Sequence, residues 1–312
     1  MCGVNRYSSS GYCGCSSRAK AARAALHQWE EPCISGVAEP PVGRGNPTGG
    51  WGQPDGSGPN PDGGSGAVFF SGCTLRCRFC QNHRISSGNF GRELTTEDLA
   101  RIFLDLQDQG AHNINLVTPT QYLPHITAAL DIIRPKLMIP VVYNCGGYER
   151  RETIAALRDY VDIWLPDFKY FDNQLAVRFS GAKDYFETAS AAIRQMIDQT
   201  GVPQFNRDNP SLMESGVIIR HMVLPGHRDD SIALLGWMKE NLPEGGYLIS
   251  LMSQYTPYHH DQDYPELNRR ITSYEYYQVV DTALSLGLAH GFMQEKSSAK
   301  EEYTPSFHLE GL

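Results

Sequence analysis

Residues Ala67–Asn82 read AVFFSGCTLRCRFCQN. The four residues Ala67–Phe70 make a short apolar run of the kind that forms a buried strand. Ser71 and Gly72 end it, and Cys73, Cys77 and Cys80 follow in a C-x3-C-x2-C spacing. Thiolates are the ligands of iron–sulfur clusters, and three of them leave one iron of a four-iron cubane without a protein ligand. A structural zinc ion takes four ligands in a closed tetrahedron. The spacing therefore points to a [4Fe–4S] cluster on Cys73, Cys77 and Cys80. A zinc site with a distant fourth ligand, or three unrelated thiols, is the alternative.

Beyond this loop the chain alternates. Short runs rich in β-branched and aromatic residues appear at Ala67–Phe70, Asn113–Val117, Ile139–Tyr143, Val161–Leu165, Val217–Leu224 and Tyr247–Met252. Their near-continuous hydrophobicity is that of parallel strands covered on both faces. Helical stretches lie between them: Thr95 or Thr96 to Gln109 before Gly110, Asp184–Thr200 before Gly201, Ser231–Glu240, and Ser273–Leu286. Six strand–helix units predict an α/β fold, a partial (β/α)6 TIM-like barrel left open.

The remainder divides the chain of 312 residues. Residues 1–36 read as a cysteine-containing leader in which Ala19–Trp29, AKAARAALHQW, has helical composition. Residues 37–66 are dense in Gly, Pro, Ser, Asn and Asp and read as a disordered insertion. The barrel occupies 67–294, and 295–312 read as a polar, frayed tail. The net charge of -8 argues against nucleic acid as a partner. No stretch reaches the ~20 apolar residues of a membrane span, and no secretory signal is evident. Eight cysteines are too sparse for a disulfide scaffold, so the cytoplasm or another reducing compartment is expected.

In such folds the chemistry sits at the carboxyl ends of the strands. Those ends are polar here: Thr118-Pro119-Thr120, Asn144-Cys145-Gly146-Gly147, Asp167-Phe168-Lys169, Pro225-Gly226-His227 and Ser253-Gln254-Tyr255. Asp167 and Lys169 are two apart, so they face the same side. A buried carboxylate and ammonium persist only when paired or bound to a ligand. His259-His260 lies in a polar loop and reads as solvated, His227 as surface, and Cys33 and Cys145 as inert thiols. Gly146-Gly147 lacks the Lys-Ser/Thr of a phosphate loop.

FFSGCTLRCRFCQN resembles the signature of the radical S-adenosylmethionine (SAM) superfamily. More narrowly, it resembles the activating enzymes of glycyl radical enzymes, such as pyruvate formate-lyase activating enzyme. GAHNINLVTPT, VVYNCGGYE, VDIWLPDFKY and LMSQY are similar to uncharacterised bacterial relatives of that activase. The resemblance implies that Cys73, Cys77 and Cys80 ligate the cluster, that Phe79 packs near the SAM adenine, and that Asn82 makes a polar cofactor contact. It places Thr118 and Thr120 where the family has a Gly-Gly-Glu segment holding the methionine amino group. It places Asn144 at the ribose-contacting strand end, where Tyr143 replaces the family's acidic residue. Asp167 and Lys169 match a pair near the SAM carboxylate, and Arg220 and Met222 a segment flanking the cofactor. Relatives carry further cysteines before Val-Asn-Arg; here only Cys2, Cys13 and Cys15 remain, an incomplete second metal site.

The implied activity is reductive cleavage of SAM to a 5′-deoxyadenosyl radical, with an electron donor such as a flavodoxin or ferredoxin. A glycyl radical enzyme is the implied hydrogen donor. The alternatives are radical modification of a small molecule or peptide, or a non-catalytic metal-binding protein.

Overall fold

The computed structural model describes residues 4–36, 63–258, 261–294 and 307–312. Cys2, most of the Gly/Pro-rich insertion, His259-His260 and residues 295–306 lie outside these. The strands are β1 (Ala19–His27), β2 (Gly64–Phe70), β3 (Arg92–Leu94), β4 (Ala111–Val117), β5 (Val141–Cys145), β6 (Ile163–Pro166), β7 (Gln204–Phe205), β8 (Met213–Met222), β9 (Leu248–Met252) and β10 (Gly291–Met293). The helices are α1 (Pro32–Ser35), α2 (His83–Ser86), α3 (Thr96–Asp108), α4 (Leu123–Ile133), α5 (Arg151–Ala156), α6 (Asn173–Ser180), α7 (Tyr185–Thr200), α8 (Arg228–Asn241) and α9 (Ser273–Ser285).

One sheet runs β10-β9-β8-β6-β5-β4-β2-β1-β3, with β7 paired to the start of β8. From β10 to β2 every neighbouring pair is parallel. β1 then pairs antiparallel with β2, and β3 antiparallel with β1. The sheet is a partial barrel, not closed, with one more parallel strand than the six expected. The extra one, β10, is too short to stand out by composition.

Alternation along the strands sorts the side chains. Val142, Ile163, Leu165, Ile218, Leu248 and Phe292 face inward and pack together. Their neighbours Tyr143, Trp164, Val217, Ile219, Ile249 and Leu251 face outward under the helices. Each large apolar side chain so buried stabilises the fold by about 1.5–3 kcal/mol. Helix starts follow the sequence. Thr95 caps α3 by accepting from Asp98 N at 3.1 Å while its own N–H donates to Asp98 at 3.0 Å. Thr272 and Glu275 repeat the arrangement at α9.

The N-terminal expectation fails in an informative way. Ala19–His27 is a strand, not a helix. Its alanines pack on both faces, where larger residues would hold β1 away from α3 and the chain terminus. Tertiary packing overrides helix propensity. Gly64, Ser65 and Gly66, expected in the insertion, belong to β2. The last six residues do not fray. Phe307 packs against Phe69 with ring centroids 5.6 Å apart, Leu309 N donates to Ala22 O at 3.1 Å, and Glu310 pairs with Arg23 at 2.8 Å.

Because β1 runs antiparallel to β2, its end at His27 lies beside Ser65, at the base of the barrel. Residues 28–36 then turn under the sheet. Cys33 and Ile34 join the inward-facing core, and Asn113 donates to Ile34 O at 2.7 Å. This segment is a plug in the bottom of the lumen.

Candidate functional site

The cysteine loop leaves the top of β2. Gly72 starts it with φ +81°, a left-handed conformation that suits glycine. A Cβ there would lie 2.1 Å from Cys15 Sγ. The Gln121 amide ties this strand end to its neighbour, donating to Ser71 O at 3.0 Å, Gly72 O at 2.9 Å and Thr118 O at 2.8 Å.

Cys73, Cys77 and Cys80 are all half-buried on the loop. Leu75 N donates to Cys73 Sγ at 3.4 Å, Ser180 Oγ donates to Cys77 Sγ at 3.0 Å, and Cys80 Sγ lies 3.2 Å from Ser86 Oγ. Burial, and then the neighbouring Cys77 thiol, push Cys73 up to about 12 and Cys80 to about 11. Bare thiols are thus disfavoured as anions here, and thiolates need a cation to satisfy them. Among the described residues, no three Cys, His, Asp or Glu side chains converge tightly enough for a lone metal ion. A cubane gives each thiolate its own iron. The three-thiolate donor set fits a [4Fe–4S] cluster, and Asn82 beside it has a buried Oδ1 with no partner in the protein. Asn82 precedes α2 but its side chain does not cap that helix.

Phe79 is buried edge-on to Tyr170 and Tyr255, with Lys169 Nζ 5.9 Å from its ring centre. It joins the cluster loop to the lumen. There Asp167 accepts from Lys169 Nζ at 2.5 Å and from Arg220 Nε at 2.9 Å. Arg220 Nη2 donates to Asn144 Oδ1 at 2.6 Å. Burial pushes Asp167 upward, but Arg220 and Lys169 outweigh it and hold the carboxyl below its usual range. The Asp167–Lys169 pairing read from the sequence is present. Arg220 joins it from a strand 53 residues away.

The hydroxyl of Tyr185 braces this corner. It lies 2.9 Å from Gly146 O and 2.8 Å from Asp167 O, and accepts from Lys169 N at 2.9 Å. Gly147, at φ +77°, leaves room for the Asp167 carbonyl, which a Cβ would approach to 2.1 Å. The Gly-Gly pair therefore serves a close backbone approach.

The threonines behave differently. Thr118 adopts φ +57°, unusual for a β-branched residue, and its N–H donates to Asn144 O at 2.8 Å. The Thr120 hydroxyl points away from Asp167. It donates to Glu149 Oε1 at 2.6 Å and accepts from Tyr143 Oη at 3.1 Å, in the outer layer. Burial raises Glu149 to about 7, against the Thr120 hydrogen bond. Met222 closes β8 opposite Met252 of β9, half-buried at the upper rim. His227, expected on the surface, is half-buried edge-on to Phe179 at 5.2 Å. Cys33 and Cys145 are buried. Cys13 and Cys15 are buried beneath Gly72, where Cys15 Sγ reaches Ser71 O at 3.4 Å.

Sequence reading missed two carboxylates. Glu30 and Glu31 rise from the base plug into the lumen. Glu30 Oε2 meets Arg220 Nη1 at 3.3 Å, while Glu30 Oε1 accepts from Asn115 Nδ2 at 3.1 Å and Asn144 Nδ2 at 3.3 Å. Burial raises both glutamates, with Arg220 pulling them back. The one available signal was an acidic pair set directly before Pro32.

Comparison with known proteins agrees with this frame. The family model for the radical SAM superfamily matches residues 67–236. An uncharacterized protein of Methanocaldococcus jannaschii is 30% identical over 232 residues, covering 71% of this chain and 61% of that protein. The chain thus spans about six-tenths of that relative's length. Among solved structures, Streptococcus suis SuiB bound to SAM superposes with TM-score 0.48 and 13% identity, over 72% of this chain and 48% of that one. Methylornithine synthase gives 0.48 and 17%, over 71% and 60%. A domain of pyruvate-formate lyase-activating enzyme from Bacteroides vulgatus gives 0.40 and 16%, over 55% and 92%.

Proposed function

Because the chain belongs to the radical SAM superfamily, whose cofactors are a [4Fe–4S] cluster and SAM, we propose that it cleaves SAM reductively to methionine and a 5′-deoxyadenosyl radical. The observation that carries this is the juxtaposition of Cys73, Cys77 and Cys80 with the Asp167–Lys169–Arg220 lumen through Phe79. When bound, the cluster supplies one electron to the sulfonium of SAM.

The chain's own residues do the rest by placement. Cys73, Cys77 and Cys80 hold three irons. Asn82 Oδ1, buried and unpartnered, offers an acceptor to the cofactor. Lys169 and Asp167 present an ammonium and a carboxylate toward the cofactor's amino-acid end. Phe79 walls the site with an apolar ring and excludes water from it. Below the polar groups, the inward side chains pack as an apolar layer that closes the lumen to water.

The electron donor in this reading is a flavodoxin or ferredoxin, and the hydrogen donor a glycyl radical enzyme. The motif resemblance and the unclosed sheet, which leaves an edge for a partner's loop to enter, support the latter. The test is anaerobic reconstitution with iron and sulfide, then strong reductant and SAM. Release of 5′-deoxyadenosine is expected; a cluster that leaves SAM intact overturns the reading. A backbone-cleaved polypeptide after exposure to oxygen identifies the glycyl radical acceptor. A modified small molecule in its place refutes that finer assignment.

A further inference from the structure

The lumen gathers three acidic side chains around two cationic ones. Among the described residues, the cations beside Glu30, Glu31 and Asp167 are Arg220 and Lys169. Each nitrogen of the Arg220 guanidinium already donates to a protein oxygen, on Asp167, Glu30 or Asn144. The Glu30 side chain is 9% exposed. The Glu31 residue is 8% exposed, and its Oε2 has no hydrogen-bond partner. A buried carboxylate without a full complement of cations is costly. In their ionised forms the three carboxylates outnumber the two cations by one, and a ligand with one net positive charge completes the set.

We propose that Glu30, carried on the plug that seals the base of the barrel, is a specificity-determining residue: it fixes Arg220 and Asn144 in the lumen and supplies the carboxylate that makes this chamber select a sulfonium over a neutral thioether. The inference rests on the SAM-cleaving reading above. Glu30 lies outside residues 67–236 and reaches the site only because β1 runs antiparallel to β2 and delivers residues 28–36 beneath it. SAM and S-adenosylhomocysteine are the natural pair of probes. They differ by one methyl group and by the sulfonium charge.

The test is anaerobic titration calorimetry of the reconstituted enzyme with each ligand, comparing wild type, Glu30→Gln and Glu30→Asp. The amide keeps the shape and removes the charge. Loss of one charge at a partly buried site predicts a rise of about tenfold in the Kd for SAM, with the Kd for S-adenosylhomocysteine changed less than about threefold. Glu30→Asp keeps the charge and should retain the wild-type preference. Iron content and melting temperature of each variant separate a charge effect from a packing effect. If Glu30→Gln shifts both ligands equally or neither, or if Glu30→Asp loses the preference as completely as Glu30→Gln, Glu30 is a structural ion-pair partner and the inference falls. If the wild-type enzyme binds no SAM, the functional reading itself falls first.

Discussion

Glu149 offers a quantitative test of the outer layer around the strand ends. The residue is 3% exposed and its carboxyl receives one hydrogen bond, from Thr120. Burial raises it from an ordinary 4.5 to about 7. An acid whose folded pKa is raised holds its proton longer in the folded state than in the unfolded chain. Its contribution is therefore complete below about pH 4.5 and is lost as pH rises through about 7. The difference of about two and a half units corresponds to about 3 kcal/mol, since each unit is worth 1.36 kcal/mol. Spread over the unfolding entropy of a chain this long, that is about 5 °C in Tm. Glu149→Gln keeps an acceptor for Thr120 and removes the titration. The assay is a thermal melt of wild type and variant side by side from pH 5 to pH 8, under anaerobic conditions. The variant should gain on the wild type by about 4 °C across that range, since part of the change lies below pH 5. A difference that stays flat with pH refutes the burial argument, because other titrating groups are common to both proteins.

Further outcomes follow from single contacts. Cys77→Ala removes one iron ligand and should abolish both the cluster absorbance and 5′-deoxyadenosine release; retained cleavage refutes the ligand assignment. Gly72→Ala forces a Cβ into a left-handed residue and onto Cys15 Sγ, so urea melts should show a loss of about 2–4 kcal/mol, and an unchanged midpoint refutes the close packing. Gln121→Leu leaves three carbonyls without their donor and should cost about 1–3 kcal/mol, read in the same melts, with lower iron occupancy after reconstitution; full occupancy refutes its bracing role.

What could be read from the sequence was whatever is local. The cysteine spacing, the apolar runs and the cap at Thr95 each lie within a few residues, and the strand alternation placed Asp167 beside Lys169. What escaped depends on distant pairing. Glu30 meets Arg220 across 190 positions, and no periodicity in either segment announces the contact. Ala19–His27 carries helix-favouring composition and is a strand because its small side chains let the C-terminal residues and α3 close over it. The Thr120 contact with Glu149 escaped for another reason. Thr120 sits on a strand end, as expected, but a one-turn 3-10 helix after β4 rotates its hydroxyl toward Glu149 in the outer layer.

The plug formed by residues 28–36 has a kinetic corollary. A lumen stoppered below is not entered from that end, so cofactor and hydrogen donor share the approach from the carboxyl ends of the strands. The small cofactor must arrive before any bulky hydrogen donor and cannot leave until that donor withdraws. On the SAM-cleaving reading proposed above, steady-state kinetics should then be ordered, with an excess of a bulky hydrogen donor inhibiting by occupying the approach before the cofactor.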